Sequence, residues 1–568
     1  MVNPLLKYMK IKSIINHWPL ITILVLAAIL RFWHLGSNPP GLTPDEASLG
    51  YNAYSILKTG KDEYGKWFPV IFKSFGDYKP GFYVYLTVPS VAVLGLNEFA
   101  VRLPSALAGV FSVFLIYLIA NKLFGNRKMP APRSLGEVGE IGTLAAFIAA
   151  LNPWSIYFSR GAWEVNVALT LTLAGMYFFL KSFDKQRYLI ASSLFFALTL
   201  VTYQGAKLST GIVVLLLVAI YWKGIFKYKL SILLTSLVVG LIISLPIIIS
   251  LFNGSTGRLT VFSVFSYPRP IEYIQNQLNE GGEKIGSLTY YLFHSETLNF
   301  VRGILGRWFN NYSGRFLFFE GDWQNPNHGA PYSGVLTLAD LILLAAGVII
   351  FIRGKWGKEK LFVALWLILA PLPAVLSRDE ISAVRALNLA IPLIIILAFG
   401  LEFIVVNLHK VRWLVGFIYL ISYIYFLDAV FVHIPAHDSQ YWEYGYKQIV
   451  QIVTPIQNKY KVIKVQQSYA QPYIYFLFYQ KYDPAKYQKQ AKLIESKYGD
   501  VGQVEHLDNI YFAPIDWSVN RGESGTLFVA DTIRIPPEDS KDTSLFNQIA
   551  EIKYLNGRDT AFRIIAVK

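Results

Sequence analysis

Residues 18–33 read WPLITILVLAAILRFW, and residues 41–60 read GLTPDEASLGYNAYSILKTG. The first stretch is apolar up to Arg31 and ends in an aromatic, cationic edge that suits a membrane interface. Lys7, Lys10 and Lys12 precede it and no small-residue cleavage site follows, so it reads as an uncleaved signal anchor with a cytoplasmic N-terminus. Residues 36–97 are then expected outside. Two adjacent carboxylates, Asp45 and Glu46, stand just after the chain leaves this first span, and they set the question of what the chain does.

Working outward, the composition supports a membrane protein throughout. Of 568 residues, 54% are hydrophobic and 16% charged, with mean hydropathy +0.39, a balance foreign to soluble chains of this length. Further apolar runs fall at 98–121, 140–157, 164–181, 188–204, 208–222, 230–252, 335–352, 361–377, 386–406 and 412–431, giving about eleven spans. Lys122, Arg127, Lys128 and Arg133, then Lys181, Lys185 and Arg187, then Lys223, Lys227 and Lys229 fall on one side of that count. Arg353, Lys355, Lys358 and Lys360, and finally Lys410 and Arg412, fall there too, as the positive-inside rule requires of cytoplasmic loops. The net charge of +15 is thus explained by topology, and no basic, aromatic module points to nucleic acid. With no cysteine, disulfides and thiolate metal sites are excluded.

The expected organisation is a cytoplasmic N-terminus and first helix over 1–35 and a first extracytoplasmic loop over 36–97. Core spans follow over 98–252, a long outer loop over 253–334, C-terminal spans over 335–431, and an outer α/β domain over 432–568. In the last, KYKVIKVQQS (459–468), YIYFLFY (473–479) and GTLFVADTIRI (525–535) read as strands, and PAKYQKQAKLIESKYG (484–499) as a polar helix.

In TPDE, Thr43 suits an N-cap, Pro44 the first helical position and Glu46 the capping-box partner, while Gly60 suits the end of the helix. Asp45 also complements the helix dipole. Capping and chemistry are compatible here: a cap fixes the backbone while Asp45 faces a cavity. Leu49, Tyr51, Ala53, Tyr54, Ile56 and Leu57 make this an amphipathic helix expected to lie at the membrane surface. Asp77 and Lys79 flank Tyr78 ahead of a Pro-Gly step. Arg160 and Glu164 in LNPWSIYFSRGAWEVN (151–166) would share a helix face, where a plain ion pair is the alternative to chemistry. Lys207 in TYQGAKLS (202–209) sits at an outer span end against the positive-inside trend, as a phosphate partner or a snorkelling lysine. Arg258, Arg269, and Arg385 in SRDEISAVRALNLAIP (377–392) are weaker cations of the same kind. FLFFEGDWQNPNHGAPYSG (316–334), with His328, is either a turn-rich loop or a cavity gate.

The ordered set PDEA (44–47), YKPGFYVYL (78–86), FAVRLPSALAG (99–109) and PWSIYFSRGAWE (153–164) resembles the polyprenyl-phosphate-dependent glycosyltransferases of the multispan GT-C class. Family 39, the protein O-mannosyltransferases and lipid A aminoarabinose transferases, is the most similar branch. The resemblance covers about residues 15–250, weakens to 430 and is absent from the tail. YWEYGYKQ (441–448) is similar, at a distance, to the WWDYG signature of oligosaccharyltransferases.

What the resemblance implies is a GT-C fold and a sugar donor on a polyprenyl phosphate. Asp45 falls on the family's catalytic carboxylate, with Glu46 beside it, and Glu164 on a second-loop acid that is Asp in many members. Lys79 falls on the KP lysine, where many members have Glu directly before it and this chain has Tyr78, with Asp77 one residue earlier. Lys79, Arg160, Lys207, Arg258 and Arg385 are the expected partners of the donor phosphate, and Tyr51, Asp77, Tyr78 and His328 are expected in the substrate cavity. No metal site is readable, although a divalent cation, Mg2+ or Mn2+, would fit an acid bridged to phosphate. The expected partners are the lipid-linked donor, the bilayer and an unidentified protein, lipid or glycan acceptor, in the plasma membrane. An oligosaccharyltransferase-like enzyme and a lipid-linked saccharide transporter are the alternatives. The transporter would place ionisable residues in mid-span, whereas here they gather at outer span ends.

Overall fold

The computed structural model describes residues 4–125, 141–252, 263–266, 268–353, 355–467, 471–490, 492–494 and 502–568. The first ten helices are α1 (Pro4–Phe32), α2 (Pro44–Thr59), α3 (Phe82–Leu94), α4 (Glu98–Phe124), α5 (Ile141–Leu151), α6 (Pro153–Phe158), α7 (Glu164–Ser182), α8 (Tyr188–Leu200), α9 (Ala206–Ile225) and α10 (Leu230–Phe252). Among the described residues six helices are long and apolar enough to cross a bilayer: Glu98–Phe124, Glu164–Ser182, Ala206–Ile225, Leu230–Ser250, Leu387–Asn407 and Arg412–His437. Shorter apolar helices accompany them at Trp18–Phe32, Phe82–Leu94, Ile141–Leu151 and Tyr188–Leu200. Glu164–Ser182 and Leu387–Asn407 are mostly enclosed by other helices, while Leu230–Ser250 and Arg412–His437 are bare along most of their length. That contrast is what a bundle with an inner and a lipid-facing layer requires, because lipid covers apolar side chains that water would not.

Thr43 caps α2 as its sequence demands. Its hydroxyl accepts from the Glu46 amide (3.3 Å), the Glu46 carboxylate accepts from the Thr43 amide (3.0 Å), and Gly60 closes the helix in the left-handed region. The hairpin of β1 (Ile71–Ser74) and β2 (Asp77–Pro80) pairs Ser74 with Asp77 and Phe72 with Lys79. Alternation along β2 turns Asp77 and Lys79 inward and Tyr78 outward.

Past residue 440 the chain forms a six-stranded mixed sheet. Its strands are β3 (Val462–Gln466), β6 (His506–Leu507), β7 (Ile510–Ala513), β8 (Thr526–Ala530), β9 (Phe546–Lys553) and β10 (Thr560–Val567), ordered β6-β7-β3-β8-β10-β9, and β4 (Leu493–Ile494) with β5 (Gln503–Val504) form a separate pair. β3 runs parallel to β7 and β8. The stretch 473–479, expected as a strand, is the helix Pro472–Tyr479. Its residues Tyr473 to Phe478 are all buried. An element apolar on every side carries no period to separate strand from helix, and Pro472 at the first helical position was the deciding local cue.

This helix lies on α2. The Tyr51 hydroxyl donates to the Tyr482 carbonyl (3.2 Å), and Tyr475 donates to the Leu42 carbonyl (3.0 Å). The expectation that α2 lies at a membrane surface is therefore corrected: ten of its residues are buried, Glu46 against Arg102, Ser48 against Ser74, Asn52 against Glu63, and Tyr51 beneath chain that arrives some 400 positions later. Arg160 and Glu164 do not share a helix face, because α6 ends at Phe158 and α7 begins at Glu164.

Candidate active site

Two adjoining spaces meet at Asp45. A cavity of about 640 Å³ is lined by Asp45, Glu46, Trp163, Glu164, Gln204, Lys207, Asn325, His328, Arg378, Asp379 and Arg385, among others. A pocket of about 20 Å³, room for one water-sized group, is lined by Asp45, Ser48, Asn52, Ser74, Lys79 and Glu164. Asp45, Leu49 and Glu164 belong to both.

Lys79 is nearly buried, lies over the Phe75 ring at 5.5 Å and forms an ion pair with Asp45, whose side chain is 60% exposed. One carboxylate thus keeps a fixed cation on one side and an open cavity on the other. Its neighbour is different. Glu46 is buried and accepts four hydrogen bonds: from Arg102 Nε (2.9 Å) and Nη2 (3.2 Å), from the Thr43 amide (3.0 Å) and from the Ala162 amide (2.8 Å). The remaining Arg102 donors go to the carbonyls of Leu35 (3.1 Å), Pro39 (2.9 Å) and Gly41. Buried charges persist when paired and hydrogen-bonded on every side, and this pair is. Both Glu46 oxygens are thus engaged although the residue lines the large cavity, and through Ala162 it ties the start of α2 to the residue two before Glu164.

Trp442 reinforces the anchor. It lies at 5.7 Å from the Arg102 guanidinium and at 6.2 Å from the Trp163 ring. A Cβ on Gly41 would fall on the Trp442 carbonyl, so the backbones of the acidic loop and of the YWEYG stretch touch directly.

The lining of the large cavity also carries cations. Lys207 donates to Gln204 Oε1 (2.7 Å). Arg385 pairs with Asp379 and donates to Ser377 Oγ (3.3 Å), and Arg378 stands beside Asp379. His328 faces Trp163 at 5.4 Å and is held through Nδ1 to Asp322 Oδ2 (3.0 Å). Burial works against the Asp322 charge, but hydrogen bonds from His328, the Ala383 amide and Asn325 outweigh it and keep this carboxyl below its ordinary range.

Other expected site residues lie elsewhere. Arg160 is buried and its guanidinium donates to the carbonyls of Leu30 (2.9 Å), Trp33 (2.7 Å) and Asn38 (2.9 Å), so it braces the first span and lines neither space. Tyr51 is wholly buried beneath the C-terminal helices, packed edge-on to Tyr487 at 5.9 Å. Tyr78 is exposed on the outer face of the hairpin, and Asp77, although inward, lines neither space. Arg258 lies outside the described residues. Arg378, Asp379, Gln204 and Asp322 carry no signal of their own in the sequence and lie in the stretches marked by Arg385, Lys207 and His328. Arg102 had a legible signal: a cation five residues into an apolar helix needs a partner. Among the described residues no group of three or more His, Asp or Glu side chains is placed to hold a metal.

Residues 78–249 match the family model described as dolichyl-phosphate-mannose-protein mannosyltransferase. The fold is similar to that of ArnT from Cupriavidus metallidurans bound to undecaprenyl phosphate, at 13% identity over 96% of this chain and 98% of that one, with a TM-score of 0.51. The chain resembles the GT-C class of glycosyltransferases. ArnT in the apo state also aligns, at 13% identity over 96% and 97% of the two chains with a TM-score of 0.49. The oligosaccharyltransferase of Archaeoglobus fulgidus aligns at 11% identity over 81% of this chain and 63% of that one, with a TM-score of 0.45. No curated protein sequence matches. In this GT-C-like chain the family match begins at Tyr78, so it includes Lys79, Arg102 and Glu164 but not Asp45.

Proposed function

We propose that this chain is an integral membrane glycosyltransferase that moves a sugar from a polyprenyl phosphate to an acceptor hydroxyl on the extracytoplasmic face. The observation that carries the reading is Asp45: it stands on the wall shared by both spaces, paired with Lys79 and facing a cavity rimmed by Lys207, Arg378 and Arg385. The cavity volume lies in the range of ligand sites, and the cations suit a phosphate leaving group. Asp45 accepts the proton of the acceptor O–H as the oxygen bonds to the anomeric carbon. The bond from that carbon to the phosphate oxygen breaks, and polyprenyl phosphate leaves with the electron pair. Attack opposite the leaving group inverts the anomeric centre. Lys79 can pass from Asp45 to the donor phosphate as the donor enters.

A Mg2+ or Mn2+ would be held by Asp45 and Glu164 together with phosphate oxygens and would neutralise the departing charge. Release that falls with EDTA and returns with either ion checks that role. In this proposal the N-terminus is cytoplasmic, about eleven helices span the plasma membrane and the α/β domain over 432–568 stands outside, where it can meet the acceptor.

The test is polyprenyl-phosphate release from labelled polyprenyl-phosphate sugars in native membranes, wild type against Asp45→Asn at equal expression. A fall of about a hundredfold or more is the loss expected of a general base. Equal release from both removes Asp45 from the chemistry.

A further inference from the structure

Between the spans lie two amphipathic helices, α11 (Ile271–Glu280) and α12 (Glu296–Asn310). On α12, Val301, Leu305 and Phe309 follow at intervals of four, so they share a face, and they are 46%, 51% and 63% exposed. Leu288, Tyr291, Leu292 and Phe293, just before it, are exposed too. The opposite face of α12 is engaged. Phe300 meets Phe265 at 5.3 Å, and Arg307 donates from Nε to the Asp379 carbonyl (3.1 Å) and from Nη2 to the Arg378 carbonyl (3.1 Å). Asn310 Nδ2 donates to the Glu380 carbonyl (3.1 Å). α12 therefore grips the turn that presents Arg378 and Asp379 to the large cavity.

A run of exposed apolar side chains along one helix, with Arg302 exposed beside them, marks a contact surface, and one neighbour says what covers it. Trp308 Nε1 donates to the Ile368 carbonyl (2.9 Å) and the Tyr312 hydroxyl to the Leu367 carbonyl, both at the end of the helix Lys358–Leu369, which is charged in its first turn and apolar from Leu361 onward. Ile368 is itself exposed, so one apolar surface runs from that helix onto α12. Trp and Tyr at the end of an apolar helix are the usual membrane-interface anchors, and an amphipathic helix beside them suits the interfacial plane.

We propose that α12 is seated in the lipid interface through Val301, Leu305 and Phe309, and that Arg307, on its opposite face, thereby holds the turn bearing Arg378 and Asp379 at the cavity. The partner is the bilayer, and the coupling makes Arg307 a positioning residue. The inference rests on the membrane reading above.

The full chain has no cysteine, so single spin labels can be placed without background. In nanodiscs, a nitroxide at Phe309→Cys is compared with one at Ile242→Cys on the bare α10 and one at Val519→Cys on the C-terminal unit, by collision with oxygen and with a water-soluble nickel complex. Oxygen-dominated collision at 309, as at 242, is the expected result. Nickel-dominated collision as at 519, or dipolar broadening between labels on two copies, overturns the lipid seat. Nickel-dominated collision at 242 itself breaks the membrane reading instead. The coupling is read separately, with a label at Glu380→Cys. Arg307→Ala should sharpen its spectrum and raise the donor KM about tenfold, the size of one charged hydrogen bond at its weakest, with kcat little changed and partial rescue by Arg307→Lys. An unaltered spectrum at 380 overturns it.

Discussion

α2 and α12 begin as near twins and end differently. They have 16 and 15 residues, each starts at a hydroxyl N-cap, Thr43 or Ser295, and each has an acid in its first turn. Yet α2 buries ten residues, and α12 buries none. The difference lies in what reaches them. The helix Pro472–Tyr479 covers α2, with Phe478 packed so closely that a Cβ on Gly50 would come within 2.5 Å of its ring. Over the outer face of α12 the described residues place no such cover. Amphipathic spacing creates a helix with an apolar face, and only remote chain decides whether protein or lipid covers it.

The comparison can be broken at several points, the largest effect first. Glu46→Ala leaves the Arg102 guanidinium buried without its carboxylate, and a loss of about 3–5 kcal/mol is expected, seen as a large drop in folded yield and thermal midpoint. Asp45→Asn, one residue away on the exposed side, should leave the thermal midpoint nearly unchanged while transfer falls about a hundredfold. Equal damage from both would mean that the two acids form one structural unit. Gly50→Val should cost about 1–3 kcal/mol by overpacking against Phe478 and Val101, whereas Leu305→Ser on α12 should stay within about 0.5 kcal/mol in detergent. A matching loss at 305 would reveal a protein cover over α12.

A further effect is a slope with pH. Burial pushes the Glu63 carboxyl up to about 8, although Asn52 Nδ2 donates to it (2.9 Å). Between its unfolded value of 4.5 and about 8, the folded state holds a proton that the unfolded state has released, so stability falls as pH rises through that window. Glu63→Gln should flatten that part of the midpoint's pH dependence and leave stability below pH ~4 unchanged. An unchanged slope would show that Glu63 is solvated in the folded protein.

Much of the local structure was legible. Thr43, Pro44, Glu46 and Gly60 spell the start and end of α2 because capping is a contact between residues three or four apart. The long apolar helices follow from composition and length. Asp45, Glu164, Lys79, Lys207, His328 and Arg385 stood out as charged or polar groups at span ends, and the structure brings them to two adjoining spaces.

Tertiary structure alone decided which of them face those spaces. Glu46 and Arg102 are 56 positions apart, and nothing local says that the capping carboxylate is also a buried ion partner. Arg160 looked like a phosphate ligand until three carbonyls of the first span and its exit claimed it. Tyr51 looked like a cavity residue until the chain past 470 covered it. The sequence determined helices, caps and the membrane character, all set by neighbours along the chain or by composition. The site was decided by contacts between distant segments, where competition for each hydrogen bond and each patch of apolar surface is settled only in the folded chain.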